Sequence, residues 1–551
     1  VLEENFKRRR PIAHLPALAL LPLLLATPAS LEAQSKLLGK IDFPNSGSPE
    51  AQSGFIEGVL YLHNFEYGDA ARAFRRAQEI DPDFALAYWG EAMTHNHPIW
   101  MQQDRDAANE ALERLAPTPE ERAAKAPTAR EKAYLHTVEI LYGNVGEAVG
   151  KDKKKRDFLY RDALRRLRDA YPEDHEATSF YGLSILGTAH EGRDFAIYMR
   201  AAAALMPVWD ANPKHPGAAH YLIHSFDDPI HAPLGLPMAE VYAKIAPAAA
   251  HAQHMTSHIF VAMGKWDDVV DANIVARDVQ NSRLVELGER PRLCGHYTYW
   301  LEYGYLQQGR FQDAARVMDT CYESVLDDPT TSDRWHFGAM KARYALDTGD
   351  WKALERWPAP FELSDENDVD SAFIEAYAAA RRGETETARE ALEVLRKLPA
   401  KDTADERELK ALVLEIEGLL ALAENETDEG LSLLYEAEAL ETEMPYSFGP
   451  PDLVKPTAEL LGDTLLALGR PDDAVEAFQT QLERTPLRTA SLLGLARAAS
   501  ASQRMTEAAD AYRKLAEIWH DAEKEIPGYS EVAEATAEAP VAAASAMGAS
   551  E

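Results

Sequence analysis

The chain has 551 residues, with 57 Lys and Arg against 91 Asp and Glu, a formal net charge of −34, two Cys and 17 His. Acidity on that scale excludes nucleic acid and anionic membrane surfaces as main partners, because most of the surface repels them, and it leaves cations free to approach. Two Cys exclude a cysteine-rich metal site or a disulfide framework, and 46% hydrophobic with 27% charged residues is the composition of a folded protein too long for one compact core.

At the start of the chain, Lys7, Arg8, Arg9 and Arg10 precede an apolar run from Leu15 to Ala26, and small residues follow at Ala26, Ala29 and Ala33. Basic, apolar and small-residue zones in that order predict a secretory signal peptide over residues 1–33. Pro16 and Pro22 interrupt the apolar run, which is short for a membrane span, although an uncleaved N-terminal anchor stays open. The expectation is an exported protein, periplasmic or extracellular, with no membrane span once the segment is cleaved.

Strand patterns are nearly absent; apolar residues recur at three and four rather than two. In a frame starting at Ala51, residues Gly58, Tyr61, Ala70, Phe74, Ala77 and Pro82 take positions 8, 11, 20, 24, 27 and 32. The phase returns for starts at Lys455 (Gly462, Ala474, Phe478, Pro486), Thr489 (Ala496, Ala508, Tyr512) and Gly295 (Tyr305, Gly309, Ala314), with weaker units near 371–400 and 411–442. This spacing resembles the tetratricopeptide repeat, a 34-residue pair of antiparallel helices. The resemblance implies an all-α, right-handed solenoid with a concave groove lined by the first helix of each pair, at positions 2, 5, 9, 12 and 13. We expect an N-terminal solenoid at 34–330, a C-terminal solenoid at 331–527, and an Ala- and Glu-rich flexible tail at 528–551.

Eight of the 17 His fall between His215 and His296, where an even spread would put about two or three. Frames starting at Pro216, Ala250 and Gly295 place His220 and His224, then His251, His254 and His258, then His296 on the groove stripe. Pairs at i, i+4 on adjacent helices present imidazoles to a common point, which makes these six residues candidate ligands. A frame starting at Ala85 puts His97 on the same stripe, a candidate remote ligand from across the groove. Asp227, Tyr299 and Tyr303 share that register and are candidate catalytic residues; Glu176 is a further candidate ligand or base. Imidazole donors select copper, zinc or iron over calcium or magnesium, and nearby Met93, Met101 and Met255 favour copper. More ligands than one ion uses suggests two ions. His63, His136, His336 and His520 read as core residues.

The strings His220-Tyr221-Leu222-Ile223-His224 and His251-Ala252-Gln253-His254-Met255-Thr256-Ser257-His258-Ile259 resemble a group of exported bacterial tetratricopeptide-repeat proteins. Asn96-His97-Pro98-Ile99-Trp100 and Tyr446-Ser447-Phe448-Gly449-Pro450-Pro451 share that resemblance. It implies a dedicated site and names no reaction. Three functions stay open: a copper-binding protein acting as an oxidoreductase, with its site in a groove lined by Trp89, Trp100, Tyr299 and Tyr303; a metal-dependent hydrolase using Asp227 or Glu176 as base; and a non-catalytic protein-interaction or self-assembling scaffold in which the His cluster is a structural metal site. Cys294 just before the first helix of its unit and Cys321 in the second helix of the same hairpin are expected to form a disulfide. No H-E-x-x-H, phosphate-binding glycine loop or Ser nucleophile elbow is present.

Overall fold

The computed structural model describes residues 37–327, 329–401, 403–446 and 448–537. The expected signal segment at residues 1–33 lies outside them. Among the described residues no helix is long and apolar enough to cross a membrane.

Antiparallel helix pairs follow one another along the chain, in the frames that the small residues set. The pair Gln52–His63 and Tyr67–Ile80 packs where Gly58 lets the Phe74 ring lie against its backbone, and the pair Pro216–Phe226 and Ala232–Ile245 follows the Pro216 frame. Ala250–Ala262 pairs with Trp266–Glu286, and His296–Gln307 with Phe311–Val325. Thr457–Ala467 with Pro471–Arg484 and Thr489–Ala501 with Met505–Ile518 repeat the arrangement near the end. The result is a tetratricopeptide-like α-solenoid. The only sheet among the described residues is a two-stranded antiparallel ribbon, Asn96–His97 against Gln102–Gln103.

Two closures turn this stack into a folded body. The loop after Gln52–His63 returns onto the Pro216–Phe226 helix, where the His63 carbonyl accepts from His220 Nδ1 at 2.7 Å. Further along, Trp266 Nε1 donates to the Leu487 carbonyl at 3.1 Å, and the Thr489 amide donates to Gln307 Oε1 at 2.9 Å. Besides a small cluster of Ala250, Ala276 and Tyr297, the apolar interior has two large ones, one running from Leu38 to Trp357 and the other from Ala342 to Val532. The helix Thr331–Thr348 feeds both, so the interior does not divide at residue 330. The packed chain also runs past 527: Val532 is buried, and Glu531 accepts from Arg497 at 2.9 Å, so residues 528–537 are docked rather than part of a tail.

Cys294 and Cys321 are joined in a disulfide, with Cα atoms 4.3 Å apart. The bond ties the entry of the His296–Gln307 helix to its partner helix.

Candidate metal centre

Three first helices, Pro216–Phe226, Ala250–Ala262 and His296–Gln307, bring His220, His224, His251, His254, His258 and His296 together. The ligand nitrogens form two adjacent sets of three, His220 with His224 and His251, and His254 with His258 and His296. His224, Asp227 and His258 form a third group that joins them. Five of the six residues are buried, and His296 is exposed.

The hydrogen bonds fix which ring nitrogen carries the proton in four of the six. His220 Nδ1 donates to the His63 carbonyl, and His254 Nδ1 donates to Asn273 Oδ1 at 2.7 Å. The Asn273 amide nitrogen in turn donates to the Val269 carbonyl, which sets its orientation. His224 Nδ1 and His258 Nδ1 both donate to Asp227 Oδ2, at 3.2 and 3.0 Å. These acceptors have no proton to give, so the Nε2 atoms of His220, His224, His254 and His258 carry lone pairs. His258 Nε2 nevertheless lies 3.1 Å from His254 Nε2, and His251 Nε2 lies 3.2 Å from His220 Nε2. His296 Nε2 is 2.9 Å from His254 Nε2, and His224 Nε2 is buried with no hydrogen-bond partner. Between His254 and His258 two lone pairs face each other at 3.1 Å and repel unless a cation sits between them, whereas among the described residues His251 and His296 have no acceptor at Nδ1 that fixes their tautomer.

A proton is a poor occupant of that position at neutral pH. Desolvation, with the neighbouring imidazoles adding to it, pushes His220, His251 and His254 well below the ordinary histidine value. His258 is lowered by desolvation even though Asp227 opposes the shift. His296 is pushed down to about 3, by desolvation first and then by His336 and His258. Neutral imidazoles with aimed lone pairs are the state a transition metal binds, and the donors behind them are those that orient metal-bound histidines.

Asp227 is held well below the usual carboxylate range: burial alone would raise it, but Arg193 and the two imidazole donors outweigh burial. It is ion-paired with Arg193, which also reaches Asp228 at 3.2 Å. An ionised carboxylate with these partners orients His224 and His258.

Aromatic rings wall the cluster. His258 is sandwiched between Trp300, at 4.6 Å between centroids, and Phe448, at 5.7 Å. Gly449 permits this approach, since a Cβ there would lie 2.7 Å from the Trp300 ring. On the other side Phe65 packs on His220 at 4.2 Å and His251 at 5.5 Å. Phe65 has φ of 56°, a left-handed conformation rare for a bulky side chain and held here by the surrounding contacts. A cavity of about 20 Å³ touches His258, Asp227, Tyr303 and Phe448, enough for one water-sized molecule.

Other expected site residues lie elsewhere. The helix Ala85–Met93 stops before His97, because Pro98 disfavours helical backbone at the residue preceding it. His97 therefore leaves the groove register; it stacks on Tyr67 at 4.0 Å, its Nε2 donates to the Thr94 carbonyl, and it joins none of the ligand groups. Tyr299 accepts from Arg343 Nε at 3.1 Å and packs on Trp335 and His336. Tyr303 reaches the cluster only through the small cavity. Trp89 is a core residue packed on Tyr134 and Phe180 rather than a groove wall. Of the three methionines, Met93 accepts from Tyr160, Met255 is wholly buried in the apolar core, and Met101 has left the helix for a left-handed turn position.

Glu176 belongs to a separate cluster with His63 and His215 that the sequence reading did not assemble. His63 Nε2 donates to Glu176 at 2.6 Å while its Nδ1 accepts from Tyr221 at 2.9 Å. His215 Nε2 donates to Glu176 at 3.1 Å while its Nδ1 accepts the Ala218 amide. Every ring nitrogen here has a partner of the opposite kind, so this is a satisfied polar network. Its effect is to fix His63, whose carbonyl orients His220. Among the remaining histidines, His136 and His520 are exposed rather than core, and His336 is buried.

Residues 460–523 match the tetratricopeptide repeat family. Solved structures with related architecture include the human IFIT1 dimer with m7Gppp-AAAA, at 13% identity over 89% of this chain and 94% of that one, with a TM-score of 0.35. Yeast Tom70 aligns at 13% identity over 90% and 96%, with a TM-score of 0.28. The APC/C hetero-tetramer Cut9–Hcn1 aligns at 11% identity over 92% and 80%, with a TM-score of 0.32. Such scores carry nothing about ligands. No curated protein sequence matches the chain.

Proposed function

We propose that this chain is a helical-repeat protein that binds transition metal in the imidazole cluster, as two adjacent ions with copper preferred, and that the loaded centre acts as an oxidoreductase. The observation that carries the reading is the pair of lone pairs on His254 and His258, 3.1 Å apart with both Nδ1 protons committed elsewhere. Nitrogen-only donor sets favour Cu²⁺ over the other first-row divalent ions, and zinc is the next candidate for three-histidine sets. Copper would supply one-electron chemistry and dioxygen binding. The chain's own residues hold the rings in place through Asp227, Asn273 and the His63 carbonyl, exclude water with Phe65, Trp300 and Phe448, and leave space for a small molecule beside His258. The disulfide supports an oxidising compartment, in keeping with export.

The hydrolase reading is favoured less, since Asp227 is engaged by Arg193 and two imidazoles and Glu176 by His63 and His215. The repeat match at 460–523 supports a compatible second role for that end, as a surface for a peptide, a protein or another copy of the chain. Copper-loaded full-length protein with ascorbate as reductant tests the reaction class. Oxygen uptake well above that of the His220→Ala/His254→Ala variant is expected, and equal uptake by the two proteins would remove the oxidoreductase reading.

A further inference from the structure

Away from the histidines, a groove of about 780 Å³ opens between the segment at residues 39–41, the helix Gln52–His63, the end of the helix Phe195–Ala211 and the helix Ala232–Ile245. Its floor is apolar, formed by Ile56, Leu60, Trp209, Val241 and Ile245. Its charged lining is Lys40, Lys214 and Lys244, with no Asp or Glu. In a chain with 91 acidic and 57 basic residues this is a local reversal of sign. None of the three lysines has a carboxylate partner among the described residues, and all three are exposed.

Two of the lysines are held side by side by the backbone. The Lys40 amide donates to the Lys214 carbonyl at 3.0 Å, and Asn212 Nδ2 donates to the Lys40 carbonyl at 2.8 Å. Exposed lysines on one rim with no carboxylate partner attract an anion to it. The volume lies within the range of small-molecule sites, which combine apolar walls with a few convergent polar groups.

We propose that this groove binds a long-chain carboxylate, with the alkyl chain on the Ile56–Trp209–Val241 floor and the carboxylate against Lys40, Lys214 and Lys244. The site is independent of the imidazole centre. Calorimetric titration of the full chain with laurate, with dodecyltrimethylammonium as the cationic counterpart, tests it. One equivalent of laurate is expected to bind and the cationic amphiphile is not. The Lys40→Glu/Lys214→Glu/Lys244→Glu variant should lose about tenfold or more in affinity. Ile56→Asp should do the same, with circular dichroism verifying the fold in each variant, while His220→Ala/His254→Ala should bind laurate as the parent does. Absence of laurate binding, equal binding of the two amphiphiles, or unchanged affinity in the lysine variant would overturn the inference. So would binding of an apolar peptide with a free C-terminal carboxylate when laurate is refused.

Discussion

Asp227 shows how one carboxylate serves several partners. Its Oδ2 accepts from His224 and His258, one in each three-histidine set, while Arg193 keeps it ionised. Replacing such a second-layer acceptor lowers metal affinity by about 10- to 100-fold. Asp227→Asn is therefore expected to weaken copper binding by that factor in a chelator competition, and unchanged affinity would contradict the role. The lowered histidines also set a pH dependence for the metal-free protein. Their folded values lie below the unfolded value of about 6.5, so the unfolded chain takes up protons that the folded chain refuses. The contribution is fully present above about pH 6.5 and declines as pH falls below it toward the lowered folded values. Urea midpoints should therefore drop from pH 7.5 to pH 5.5, and prior copper loading should oppose the drop; a flat metal-free profile would contradict it.

At the level of elements, the helices follow the small-residue frames closely because Gly58, Gly217 and Gly462 mark where one helix lies against another side chain. At Gly217 that side chain is the His63 imidazole, with which any Cβ would collide. Gly217→Ala is expected to cost about 1–3 kcal/mol in equilibrium unfolding, by displacing the His63 loop that orients His220. The disulfide pins the helix that carries His296. Cys294→Ser is expected to cost about 3 kcal/mol for a closed loop of this length, measured by denaturant unfolding. Six ligand candidates were legible because helical spacing and the repeat frame together put them on one stripe. His97 was misplaced because the frame was extended past Pro98, where the local backbone preference wins over repeat register. The Phe448–Gly449 wall was visible only as a motif, since nothing local to it says that it stacks on His258, nearly two hundred residues earlier.

On the scale of the whole molecule, the centre exists because the solenoid closes on itself. The first hairpin supplies the His63 carbonyl and Phe65, three consecutive repeats supply the imidazoles, and Phe448 with Gly449 covers them. Such long-range closure leaves no periodic trace in the sequence, so the groove was foreseen but its walls and the Glu176 network were not. Binding that joins elements so distant in the chain couples to global stability. A metal at about 100 times its Kd adds about 2.7 kcal/mol to unfolding, and chelation should lower the melting temperature accordingly. The net charge of −34 draws cations toward the whole surface, so weak adsorption must be separated from occupancy of the centre. Metal content of the untagged full chain, after copper loading and exhaustive dialysis at high salt, makes that separation. About two copper ions per chain are expected in the parent and far less than one in His220→Ala/His254→Ala, in line with a two-ion site. A parent protein that retains no stoichiometric metal, or a variant that retains as much as the parent, would contradict the metal centre.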